Sequence, residues 1–368
     1  MRFAVFSGTI LLAALLAGCG GSVQHTTTNT QVPPSAFMFV SSPNNAIVVG
    51  YGVSSSGMLS QLGTTSATLT PGSPLFLNTD PAGHFLYVSQ EAIDDDDTGQ
   101  EIGADGLSIF HIDQNSGMLT QVGPFIPLSD TRLPLAILFS PSGFALTGEG
   151  TNVGVFRQDA STGLLQEVQG SPFALGGQLA AVSPAADIFV TFTPADSMVH
   201  TFSVDASGTP KLVSSTALSG HAGGQALFTR DGGTLLATFG DPQTEQSFGF
   251  DVFTVAPDGT LALVKSVALP HSSQLAFTPD QRFLYTVSSA DISTFSTTNF
   301  TAVGSPMAFS PIGPILTPPV VSGNALFVSE FFHIHSFPAD LTTGALGADT
   351  DAADISSGAM WMGVSPAK

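Results

Sequence analysis

The chain has 368 residues, with 28 acids against 8 bases and a formal net charge of −20. Phosphate contacts need Lys and Arg, so this balance argues against nucleic acid as a partner and sets an unfavourable long-range field for anionic substrates. A single cysteine rules out a disulfide framework, so packing must hold the fold together.

In chain order, Arg2 comes first and Phe3 to Ala17 is apolar except for Ser7, Gly8 and Thr9. This reads as an export signal over residues 1–18, too short to span a bilayer stably. Leu16-Ala17-Gly18-Cys19 resembles the lipobox of bacterial lipoproteins. The resemblance implies cleavage after Gly18, diacylglycerol on the Cys19 sulfur and acylation (palmitate) of the new amine. Membrane lipid would then be a partner through Cys19, and buried methylenes at about 0.8 kcal/mol each would hold the anchor. The implied location is the bacterial cell envelope, with Gly20 in place of Asp pointing to the outer membrane. Residues 19–35 are polar and end at Pro33-Pro34, as expected of a flexible tether. The globular part then runs over 36–368.

From residue 36 the sequence shows short β-type runs divided by Gly, Pro, Asp and Ser, and the runs repeat. An apolar strand and polar turn recur as LAILFSPSG (135–143), LAAVSPAAD (179–187) and LAFTPDQRF (275–283). A second strand follows, as in FLYTVSS (283–289) and ALFVSE (325–330), and a third, as in NVGVFRQD (152–159) and MVHTFSVD (198–205). A hairpin such as TGLLQEVQ (162–169) or DGTLALVK (258–265) closes the unit. The turn glycines Gly117, Gly163, Gly208 and Gly259 stand 46, 45 and 51 residues apart. A four-strand repeat of about 45 residues has the period of a β-propeller blade. An outer-membrane barrel would alternate over longer hairpins, and paired β-sandwiches would not repeat in this way.

The ends fix the blade count. Residues 36–63 lack an innermost strand, whereas GAMWMGVSP (358–366) has the form of one without a blade. The expected fold is therefore an all-β, seven-bladed propeller of four-stranded blades, its C-terminal strand closing the first blade and leaving no open edge.

Several residues carry possible chemistry. Asp94, Asp95, Asp96 and Asp97 lie in an acidic insertion of the second blade and are candidate calcium ligands, although their spacing is not that of a twelve-residue calcium loop. His333 and His335, two apart on one strand face, could begin a metal site with Glu330 as the nearest third ligand, or be two polar side chains sharing that face. His221 and His271 each stand just before an inner strand, where a propeller channel opens. Either imidazole could act as a general base on water or be a hydrogen-bonded loop residue. Arg230 and Arg282 follow inner strands and belong in turns at the opposite end. No Gly-x-Ser-x-Gly elbow or dinucleotide fingerprint occurs.

The sequence of inner strand, Ser/Thr-Pro-Asp/Ser-Gly turn, Phe-Leu-Tyr-Val strand, Val-Phe-x-x-Asp strand and Thr-Gly-x-Leu hairpin resembles the seven-bladed lactonase propellers over residues 36–366. These include propeller-type 6-phosphogluconolactonases. The resemblance implies a lactone hydrolase without a cofactor. Family members commonly carry Gly-Pro-Arg-His before an inner strand; here the matching position reads Ala222-Gly223-Gly224-Gln225, and Pro270-His271-Ser272 keeps only a histidine. A phosphorylated lactone would lack its cationic clamp. The first expectation is therefore a lipid-anchored binding or scaffold module for an envelope protein or small neutral ligand. The alternative is hydrolysis of a small lactone, with His271 or His221 activating water.

Overall fold

The computed structural model describes residues 34–42, 46–62, 67–68, 73–94, 101–128, 135–193, 197–241, 246–311, 313, 315, 317–330, 332–350, 352–355 and 361–366. Pro33–Lys368 forms one compact unit. Among the described residues seven antiparallel blade sheets follow one another along the chain, each running from an inner to an outer strand, and a separate two-stranded sheet pairs Ile93–Asp94 with Glu101–Ile102. Blade 3 sets the pattern: Ala136–Phe139 is innermost, followed by Phe144–Glu149, Asn152–Gln158 and Leu165–Glu167. Among the described residues no helix is long and apolar enough to cross a membrane.

The ring closes as its ends require. Trp361–Pro366 is the inner strand of blade 1 and pairs antiparallel with Ala36–Ser42, from Ala36↔Pro366 to Ser41↔Trp361. The Ser365 hydroxyl donates to Gly83 O at 2.7 Å and Thr79 donates to Val364 O at 3.1 Å, tying the closing strand to blade 2. The outer edge of blade 7 is irregular: Ala339↔Leu346 is an isolated bridge, Gly347 N and Thr350 N donate to Pro338 O and Ser336 O, and Ala353–Asp354 pairs with His333–Pro338.

Seven buried apolar clusters fill the seven blade junctions among the described residues. The junction of blades 3 and 4 holds Phe144, Leu146 and Val155 against Phe189 and Phe202, with the last two rings stacked at 5.1 Å. Burial of each such side chain contributes about 1.5–3 kcal/mol. No blade buries both faces alone, so stability is shared between neighbours.

The outer hairpin of blade 3 shows how neighbours interlock. Gly163 has φ +74°, and a Cβ there would sit 2.4 Å from Phe85 of blade 2. Its carbonyl accepts a 2.7 Å bond from the Tyr87 hydroxyl. Gly163→Ala combines a left-handed backbone with a clash against a buried ring. We expect a loss of at least ~2 kcal/mol, read as a lowered midpoint in urea unfolding.

The same hairpins carry an aspartate whose carboxylate accepts backbone N–H groups further along the turn, as Asp113 does from Asn115 and Ser116, both at 2.9 Å. The backbone N–H of Ser116 lowers the Asp113 carboxyl below its ordinary range, and the hydroxyls of Ser161, Ser207 and Thr343 do so for Asp159, Asp205 and Asp340. At Asp280 desolvation works the other way, but bonds from Arg282 and Thr278 outweigh it and bring the carboxyl to about 2. A depressed carboxyl stabilises the fold above its unfolded value and loses that effect as pH falls through the folded value. Stability should therefore hold above about pH 5 and decline progressively towards pH 2, as measured by thermal melting across that range.

Candidate functional site

In each blade the inner strand starts at the face that also carries the turn between the second and third strands. On this entrance face His221 opens the inner strand of blade 5, His221–Phe228, opposite Gly240. Its ring is exposed, and Nδ1 lies 3.1 Å from Ser197 Oγ. The link that delivers it is fixed from below. Buried Asp251 accepts Ser219 N at 2.7 Å, Ser219 Oγ at 2.8 Å and Ser266 Oγ at 2.5 Å. His271 is also exposed, just ahead of the inner strand Gln274–Phe277 of blade 6, and its carbonyl accepts the Ser273 hydroxyl at 3.0 Å. The structure thus brings His221 and His271 to one face on adjacent blades. Among the described residues neither imidazole meets a carboxylate.

Arg230 and Arg282 lie at the exit face. Arg230 donates to Pro279 O at 3.0 Å, while Arg282 pairs with Asp280 at 2.6 Å and also donates to Leu341 O. Both bridge to the turns of the next blade, so neither is a ligand clamp at the mouth. A cavity of about 310 Å³ lies beside the exits of the inner strands, lined in part by Thr79, Asp80, Phe139 and Val364. Asp80 is already committed there, accepting the N–H groups of His84 and Phe85 at 2.7 and 2.8 Å.

Gln225 closes the stretch Ala222-Gly223-Gly224-Gln225 at the start of the inner strand of blade 5. Its side-chain amide donates to Leu275 O at 2.9 Å and accepts Leu275 N at 2.7 Å, copying a strand ladder between blades 5 and 6. The side chain, 8% exposed, is thereby held in the joint between the two blades. Such pairing cannot be read from the sequence, because the partner lies 50 residues away.

Blade 7 holds a second polar centre. His335 is 8% exposed and Glu330 3%; His335 Nε2 bonds Glu330 and Nδ1 lies 2.5 Å from Asp349 Oδ2. His333 Nδ1 lies 2.8 Å from Asp354, and the two imidazoles are 4.6 Å apart. Phe309 of blade 6 packs edge-on against His335 at 5.1 Å, and Glu330 also accepts Gly313 N at 2.5 Å. Each nitrogen of His335 faces its own carboxylate, so the donors do not converge on one point. Among the described residues no group of three His, Cys, Asp or Glu side chains is placed to hold a metal ion. Sequence reading singles out His333, His335 and Glu330 but misses Asp349 and Asp354, which sit in an acidic run without periodicity. Asp95, Asp96 and Asp97 lie outside the described residues, and Asp94 is described only as part of the short strand Ile93–Asp94. Cys19 also lies outside them.

The His335 centre ties the entrance turn, the third strand and the outer segment of blade 7 together. His335→Ala would leave the buried Glu330 carboxylate without its imidazole partner, while Asp349 stays open to solvent, at a cost of about 3 kcal/mol. Urea unfolding should show that loss, with His335→Gln intermediate because it keeps a donor; equal stability of all three proteins would contradict it.

Residues 44–183 match the family model described as Lactonase, 7-bladed beta-propeller. No curated protein matches the sequence. Among solved structures, the periplasmic gluconolactonase of Pseudomonas aeruginosa superposes with a TM-score of 0.69 at 16% identity, over 90% of this chain and 99% of that one. A protein from Lactobacillus plantarum gives 0.66 at 13% identity, over 90% and 99%. Apo AztD from Citrobacter koseri gives 0.58 at 9% identity with the same coverage. The chain is a seven-bladed β-propeller related, through residues 44–183, to the lactonase family.

Proposed function

We propose that the chain is a lactone hydrolase working outside the cytoplasm, at the entrance face of its ring. The observation that carries this reading is the lactonase family match over residues 44–183. The exposed imidazoles of His221 and His271 supply the chemistry. One takes a proton from water as its oxygen adds to the lactone carbonyl; backbone N–H groups stabilise the oxyanion, and the ring C–O bond then breaks as the imidazolium returns the proton to the leaving oxygen, giving a hydroxy acid. With Gln225 committed to Leu275 and a net charge of −20, the substrate class is uncharged. Phosphorylated sugar lactones would be poor substrates.

The export signal and the lipobox resemblance support attachment to membrane lipid through Cys19, with residues 20–35 as the tether. A second reading, a lipid-anchored binding module for an envelope protein or small neutral ligand, is favoured by one observation. Neither mouth imidazole meets a carboxylate among the described residues.

The test uses the chain from Gly20 onward, which retains the whole compact unit. Hydrolysis of a panel of neutral and phosphorylated lactones is followed for the unmodified protein, His221→Ala and His271→Ala. We expect turnover of neutral lactones, reduced about 10²-fold or more in one variant with its melting curve unchanged. Turnover of the phosphorylated lactone alone would contradict the charge argument. No turnover on the panel would favour the binding module.

A further inference from the structure

We propose that the entrance-face mouth takes an uncharged, ring-shaped ligand, with Trp361 and Phe76 as the apolar platform on which its ring lies. The uncharged class rests on the functional reading above; the place rests on the construction of two inner strands.

The inner strand of blade 2, Ser73–Thr79, is bulged. Pro74 pairs with Gln90 and Leu77 with Val88, so Leu75 and Phe76 both fall opposite Ser89. The bulge is held from two sides. Ser89 Oγ accepts Phe76 N at 2.9 Å and donates to Phe76 O at 3.3 Å, while Ser41 of blade 1 donates to Leu75 O at 3.0 Å. Bulges re-aim side chains. Here Phe76 meets Trp361, the first residue of the inner strand of blade 1, with ring centroids 4.6 Å apart in an edge contact. Trp361 packs on the junction of blades 1 and 2, yet both rings remain only half-buried. Two large aromatics joined edge to face and left partly open present a rigid apolar surface at low entropic cost.

Blade 5 uses the same device with the opposite filling. Its inner strand breaks register between Ala222 and Ala226, and Thr238 closes the bulge, accepting Gln225 N at 3.1 Å and donating to Gln225 O at 3.0 Å. The bulged residues here include Gly223 and Gly224. Gly224 has φ +90°, and nothing lies within 4 Å of where its Cβ would be. Bare peptide therefore borders open space at Gly224, three residues beyond exposed His221. Blades 2 and 5 stand three apart in a ring of seven, the greatest separation the ring allows. The mouth thus has an aromatic side and a peptide-and-imidazole side. An uncharged ring with one apolar face and a polar edge matches both, as small-molecule sites combine apolar walls with a few placed polar groups.

Trp361 is the sole tryptophan, so intrinsic emission reports on the platform directly. The chain from Gly20 onward is titrated with 1,5-anhydroglucitol, a neutral ring with no bond to hydrolyse, and separately with its 6-phosphate. We expect a saturable emission change with the neutral ring and none with the phosphate. Phe76→Leu, which keeps most of the packing volume, should weaken binding roughly tenfold. No change up to tens of millimolar neutral ring would overturn the platform, whether or not the protein hydrolyses lactones. A tighter response to the phosphate would overturn the uncharged class. A saturable change without turnover of any lactone would support the platform while removing the hydrolase reading.

Discussion

The ring depends on one repeated contact: a left-handed residue in each outer hairpin, pressed against the second strand of the preceding blade. A Cβ on Gly117 would meet Phe37 of blade 1, one on Gly208 would meet Phe144 of blade 3, and one on Gly344 would meet Phe283 of blade 6. At the closing junction Gly57 of blade 1 sits over Ala325 of blade 7, and the Ser336 hydroxyl donates to its carbonyl at 3.0 Å. The glycine thus does two things. It allows the hairpin to turn, and its missing side chain lets backbone lie against a buried side chain of the next blade. Blade 6 tests the rule by breaking it. Its hairpin has no glycine; Phe300 takes the positive φ, 50°, and its ring packs towards Phe250 of blade 5 at 6.2 Å. The Phe300 carbonyl accepts the Lys265 ammonium at 2.8 Å. A bulky residue in the left-handed region is strained, and here the strain is offset by ring burial and a charge-assisted bond.

Because each blade leans on its predecessor, the ring is only as secure as its least regular junction. That junction lies between blades 6 and 7. Apolar packing continues through Phe309, Val328 and Phe337, but the same strand face carries His335 between Glu330 and Asp349. A fully bonded polar cluster can define a unique arrangement where a short outer strand cannot. Ala353–Asp354 has only two residues, whereas Leu261–Leu269 in blade 5 has nine. The buried histidine fastens blade 7 through its bonds to Glu330 and Asp349.

Most of the fold is legible in the sequence because it is written repeatedly. The spacing of Gly117, Gly163 and Gly208 sets the period, and the unpaired strand around Trp361 gives the closure. The site is legible only in part. His221 and His271 reach the mouth because their positions relative to an inner strand are local facts. The use of Gln225, the inward turn of Asp349 and the seat of each hairpin glycine depend on partners in another strand or blade. Hydrophobic period says which face of a strand is buried, not which residue of the next blade will meet it. The bulges at Leu75–Phe76 and Gly223–Gly224 are invisible for the same reason: a register shift exists only between two strands.

Those bulges are where the architecture has freedom to specialise. Elsewhere successive residues of a strand face the two neighbouring blades in turn, so each side chain is committed to one junction. An inner-strand bulge frees residues from that alternation, and the hydroxyl of Ser89 or Thr238 restores the hydrogen bonds that the ladder loses. Blade 2 spends its free positions on an aromatic surface, and blade 5 spends them on bare peptide beside an imidazole. At the second of these bulges the Gln225 side chain joins blades 5 and 6 through Leu275, so the freed segment is held by packing between blades and not by its own ladder.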